Sequence, residues 1–166
     1  MRLLAATLMT LLWCAMAPLS PTGQDRTTDL RSRFEHETNP VQKAKLMPDL
    51  GQAEFQQIRK EVDEEHLPAA LELLREYDAQ VNACVKALQS ANLDAERHPA
   101  GFKQLQISLR ESLRRIDLLL PSMTVDEQAP FLEVRTRLDE VNRHLIEQLF
   151  PGRTPPAPSK GDKAVQ

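Results

Sequence analysis

Apolar and polar positions along this chain keep a helical beat. Between Pro68 and Ala91, the small or apolar residues Ala70, Leu74, Tyr77, Val81, Cys84, Leu88 and Ala91 recur at alternating steps of four and three. That spacing gathers side chains onto one face of an α-helix. Leu71 and Val85 widen the face, and Glu72, Arg75, Glu76, Gln80, Asn82 and Lys86 are expected to meet water. A helix patterned this way owes its stability to neighbours that cover the face, and the same beat supplies three more of similar length.

Asn39 followed by Pro40 signals a helix start, a capping side chain and then a proline whose missing N–H costs nothing in the first turn. The second helix is expected from Pro40 to about Glu64, burying Val41, Ala44, Met47, Gly51, Phe55, Ile58 and Val62. Pro48 interrupts it. An interior proline costs about 3 kcal/mol, whereas burying Phe55, Ile58 and Val62 returns about 1.5–3 kcal/mol each, so the helix should persist with a kink or short break near 47–51. Pro99 opens a fourth helix with Phe102, Leu105, Leu109, Leu113, Ile116 and Leu120 inward, stopped by Pro121. Thr124 and Glu127 have capping-box spacing ahead of a last helix that reaches about Phe150. Its face is Phe131, Val134, Leu138, Val141, Leu145 and Leu149, with Pro130 a second candidate kink. A shorter piece, LRSRFEHE behind a Thr27-Thr28-Asp29 cap, has only Leu30 and Phe34 as large anchors and is expected to lie loosely across the others.

Four amphipathic helices with short links predict an all-α domain, either an antiparallel up-down-up-down four-helix bundle or two stacked helical hairpins, with a short extra N-terminal helix. LGQAEF followed by EEHLPAALELLREY resembles a tetratricopeptide-repeat hairpin, where a Leu-Gly pair leads the first helix and an alanine-led helix follows. Ala70 lies further from Gly51 than that family places it, and no second copy appears downstream. The resemblance implies a helical hairpin and no functional residue.

Composition supports the same class: 4% aromatic residues and five Gly, against 41% hydrophobic and 27% charged residues, favour helix over sheet. The net charge of −3 gives no general attraction to nucleic acid or anionic membrane. Residues 1–23 read as an export signal, one basic residue, then an apolar run from Leu3 to about Ala17, then small residues at Ala15 and Ala17. Pro18 blurs the cleavage point, and an uncleaved N-terminal anchor is the alternative. The run is shorter than the roughly twenty residues that a spanning helix needs, so no stable membrane span is expected once the signal is removed. Residues 24–150 are the expected helical domain, and the proline-rich 151–166 the expected disordered tail. These features together predict a secreted or periplasmic protein. Cys84 is then the one cysteine left beyond the leader, expected as a buried small hydrophobe and not a reactive thiol.

Chemistry is sparse. None of His36, His66, His98 and His144 follows a Glu by three residues, as a di-iron helical bundle requires. His66 has Asp63 at that spacing, and His144 has Glu140 four residues before it, pairs expected to be surface contacts. Ser108 and Ser112 sit in a helix with no nucleophile-elbow context. No catalytic, cofactor-binding or metal residue is therefore assigned, and a non-enzymatic role is expected. One surface feature stands apart. Lys103, Ile107, Arg110, Arg114 and Leu118 align on the fourth helix opposite its core face. Either the N-terminal helix covers Ile107 and Leu118 through Leu30 and Phe34, or the stripe is a docking surface for an acidic or amphipathic protein partner. A protein-binding helical domain is the leading expectation, and a small-molecule or metal-binding one the alternative.

Overall fold

The computed structural model describes residues 23–152. The expected leader, apart from Gly23, and the expected tail, apart from Pro151 and Gly152, lie outside the described residues. Among the described residues the secondary structure is helical throughout: α1 (Gly23–His36), α2 (Pro40–Asp63), α3 (Leu67–Ser90), α4 (Pro99–Leu119), a 3-10 turn (Leu120–Ser122) and α5 (Val125–Leu149). No helix among them is long and apolar enough to cross a membrane.

Local chemistry sets the ends of these helices. The Asn39 side chain accepts hydrogen bonds from the Val41 and Gln42 N–H groups at 3.0 and 3.1 Å, with Pro40 in the first turn. Such a cap is worth about 1 kcal/mol. At the start of α5 the Thr124 N–H and hydroxyl both donate to Glu127 Oε2 at 2.8 Å, which holds the Glu127 carboxyl below its usual range. The helix α2 closes with Glu65 N–H donating to Val62 O and His66 N–H to Glu61 O. That is a Schellman pair, and it requires a left-handed residue at Glu65, whose φ is 61°.

The core follows the apolar beat. Ala70, Leu74, Tyr77, Val81, Cys84 and Leu88 are fully buried. The seventh seam residue, Ala91, is exposed, because α3 ends at Ser90 and Ala91 is its cap. Leu120, expected inward, is half-buried in the 3-10 turn, and Leu119 takes the buried place. The helix α2 runs unbroken through Pro48, and α5 unbroken through Pro130. For α2 the burial of Leu50 joins that of Phe55, Ile58 and Val62, so the packing side of the balance is larger than the expected face implied.

The helix α2 packs against three others, α1, α3 and α4, while α5 packs against α4 and α3. The first helix also starts earlier than its expected cap. It begins at Gly23, so Thr27 lies inside it and is buried instead of capping it. Leu30 and Phe34 are buried as anchors.

Two outcomes follow from this packing. Burial pushes the Cys84 thiol up to about 12, so a maleimide or disulfide reagent at pH 8 should react far more slowly with native protein than with protein in denaturant. Equal rates would mean that α3 is packed on another face. Glu65 pays the left-handed cost of about 1–2 kcal/mol that glycine escapes. Glu65→Gly should therefore raise stability by about 0.5–1 kcal/mol in urea unfolding.

Candidate functional site

The stripe on α4 lies at the surface. Lys103, Arg110 and Arg114 are exposed, as are Ile107 at 41% and Leu118 at 70% of their areas. The expected cover is elsewhere. The helix α1 packs on α2, and Arg31 and Phe34 share a cavity wall with Ala79, Gln80 and Ala83 of α3. Leu30 and Phe34 are thus spent on the α2/α3 side, and Ile107 and Leu118 stay open to solvent.

Beside the stripe runs an open groove of about 500 Å³ between α2 and α4. Phe55 and Leu119, both nearly buried, form its apolar floor, Leu118 its exposed rim, and Gln52, Arg59 and Arg115 its polar walls. The Arg115 guanidinium lies 5.8 Å from the centre of the Phe55 ring, within reach of a cation–π contact. Pairing of the cations is loose: Arg59 to Asp63 at 3.7 Å, and Arg114 and Arg115 to a shared Glu111 at 3.6 and 3.5 Å. Among the described residues, Lys103 and Arg110 have no ion-pair partner.

On the far side of α2 is a buried polar cluster that periodicity did not reveal. Glu54 is fully buried on α2. Its Oε1 accepts from Arg31 Nε at 2.7 Å and from Gln80 Nε2 at 2.8 Å, and Arg31 Nη1 also reaches Glu76 Oε2 at 2.8 Å. Gln80, expected to meet water, is half-buried here. Glu54 Oε2, Arg31 Nη2 and Gln80 Oε1 are buried without a hydrogen-bond partner. Desolvation raises the Glu54 pKa above its usual 4.5, outweighing the hydrogen bonds and charge of Gln80 and Arg31 that lower it, and nearby Glu76 adds to the rise. The signal available in the sequence was the charge at Glu54, one step off an apolar face and within a helix turn of Phe55 and Ile58.

Two further polar ties cross the interior. Tyr77 Oη and Ser112 Oγ lie 2.7 Å apart, and burial raises the Tyr77 pKa against the lowering influence of Ser112 and Ser108. Both serines are buried, Ser112 serving as a partner for the phenol. Asp78 of α3 accepts from Arg137 Nε of α5 at 2.8 Å.

The histidines differ in their neighbours from the expected pairs. His66 Nδ1 lies 3.2 Å from Glu61 Oε2 and 3.6 Å from Glu64 Oε2, while Asp63 turns to Arg59. The ligand atoms of Glu61, Glu64 and His66 fall within 4.8 Å of one another, in a half-exposed to exposed position at the α2 C-terminus. His144 neighbours Glu147 at 3.9 Å and Gln148 at 3.0 Å, not Glu140. His36 Nδ1 lies 2.7 Å from the Ser32 carbonyl oxygen.

No protein-family model, curated protein or solved structure matches this chain.

Glu54 offers a measurable signature. Its folded pKa lies above the unfolded value, so the folded state binds the proton more tightly. The contribution to stability is full below about pH 4.5 and is lost as pH rises through the folded value. Glu54→Gln keeps an acceptor for Arg31 and removes this titration. Stability of the variant relative to the native protein should therefore improve as pH rises across that window, read as urea midpoints at a series of pH values. Parallel profiles would place Glu54 in a solvated position.

Proposed function

We propose that this is an exported, non-catalytic helical protein that works by binding another protein in the cell envelope or outside the cell. The single observation that carries this reading is the uncovered α4 face, where Ile107 and Leu118 stand exposed beside a groove floored by Phe55 and Leu119. Arginine is among the residues that dominate binding at protein interfaces, and exposed aliphatic side chains beside it are apolar surface that a partner can cover. The export reading rests on the apolar leader with its basic start and small residues near Ala17. It gives a secreted or periplasmic location, or an N-terminal membrane tether if the leader is retained.

The architecture proposed for this role is two stacked helical hairpins, α2 with α3 and α4 with α5. Several contacts support it. Val41 meets Gly101 and Phe55 meets Arg115, so α2 and α4 advance together. Phe55 meets Tyr77 while Val41 and Leu88 both lie against Gly101, which runs α3 back along α2, and Asp117 with Arg135 and Gln106 with Asn142 do the same for α5 on α4. A stack of this kind sets α2 and α4 side by side and leaves their shared outer groove for a partner. The second reading, a small-molecule or metal-binding helical protein, draws on the Glu61, Glu64 and His66 cluster. Elemental analysis and a ligand-shift melting screen on purified protein would decide for it.

The test of the first reading is capture. Tagged protein should retain a partner from envelope or secreted fractions, and a variant with Ile107→Ser and Leu118→Asp should lose it while keeping its helicity and Tm. Undiminished capture by the folded variant would remove the α4 face from the function.

A further inference from the structure

We propose that the groove between α2 and α4 receives an acidic amphipathic helix from a partner protein. This rests on the reading of the α4 face as a docking surface and adds the chemistry of what docks there.

Shape argues for a helix. The walls, from Gln52 to Asp63 on α2 and from Arg115 to Leu119 on α4 with Ser122 in the 3-10 turn beyond, are themselves helical, and the main-chain groups along them are bonded within the helices. They offer no edge to which an extended strand could add. At 1.5 Å per residue the α2 wall is about 16 Å long, the length of about three helical turns. Phe55, Leu118 and Leu119 supply an apolar patch within that wall, which fits apolar side chains at i and i+4 on one face of a helix.

Charge argues for acid. The groove and the α4 stripe together carry Arg59, Lys103, Arg110, Arg114 and Arg115. The carboxylates paired with these cations are Asp63 and Glu111, each held at 3.5 Å or more. Guanidinium N–H groups are thus left free to donate. The rest of the chain is acidic enough to bring the net charge to −3, so this face is a local positive field on a negative molecule, the arrangement that steers an acidic partner. The same field disfavours a second copy. In a two-fold dimer through this face each cation cluster would meet its own equivalent.

The experiment uses the purified protein and a labelled synthetic peptide of about four turns, with Leu or Phe at i, i+4, i+7 and i+11 and Glu flanking them. A control peptide carries Lys in place of every Glu. Fluorescence anisotropy should show saturable binding of the acidic peptide that weakens with added salt, and little binding of the control. Arg110→Glu with Arg114→Glu, and separately Leu118→Asp, should each weaken binding by about tenfold or more, with far-UV circular dichroism and Tm confirming that the variants fold. The proposal is overturned by no saturable binding, by equal binding of the Lys peptide, or by undiminished binding in both folded variants. It is also overturned by preferential binding to vesicles rich in anionic lipid, or by sedimentation showing a dimer that Leu118→Asp dissociates. If partner capture needs Leu118 but the acidic peptide does not bind, the acidic helix is wrong and the docking face stands. If neither depends on Leu118, both readings fall.

Discussion

Tyr77 is the side chain on which the packing of three helices converges. It projects from α3 against α2, where Gly51 leaves room for it: a methyl group built at Gly51 would come within 3.2 Å of the ring. The ring meets Phe55 edge to face at 5.3 Å, and its hydroxyl reaches Ser112 on α4. A phenol buried without a partner would lose about 1–3 kcal/mol. The Ser112 bond therefore does more than decorate the core; it lets an aromatic of this size sit at the meeting of α2, α3 and α4. Gly51 and Ser112 are both compromises in a helix interior, and both have the same cause.

The central position of α2 imposes the next constraint. A helix covered by α1, α3 and α4 has few directions left for polar side chains. An apolar face read at steps of three and four identifies the side toward one neighbour, and so Ala44, Met47, Gly51, Phe55, Ile58 and Val62 were legible in the sequence and are buried. Leu50, Ala53 and Glu54 lie off that line and are buried as well. The burial of Glu54, which meets Arg31, depends on where α1 docks, which no local pattern encodes. The α3 seam was legible for the complementary reason, since one face carries nearly all of its burial and the other stays in water.

The chain ends of the elements follow the same division. Asn39 and the Thr124–Glu127 box act within a few residues of themselves, so their chemistry could be read directly. The Thr27-Thr28-Asp29 cap had an equally good local form, yet α1 continues through it to Gly23. Burial of Thr27 against the rest of the fold competes with its capping tendency, and the tertiary term prevails. On α4 the stripe of Lys103, Ile107, Arg110, Arg114 and Leu118 was legible as a pattern, but the choice between a covered and an open face depended on the placement of α1.

That placement is where the buried cluster matters. The link between α1 and α2 is residues 37–39, which at about 3.3–3.6 Å per residue ties α1 to the immediate neighbourhood of α2 and leaves two grooves within reach. On the α3 side, Arg31 finds Glu54 and Glu76 together. On the α4 side it would face Arg59 and Arg115. Buried ion pairs contribute little net stability, because desolvation offsets the attraction, and the raised pKa of Glu54 is the mark of that cost. Their strength lies in discrimination, since an arginine beside loosely paired arginines is worse placed than one beside a carboxylate. Glu54 and Glu76 thus favour the groove in which α1 is found. The consequence is that the other groove, with its apolar floor and its loosely paired cations, is left open.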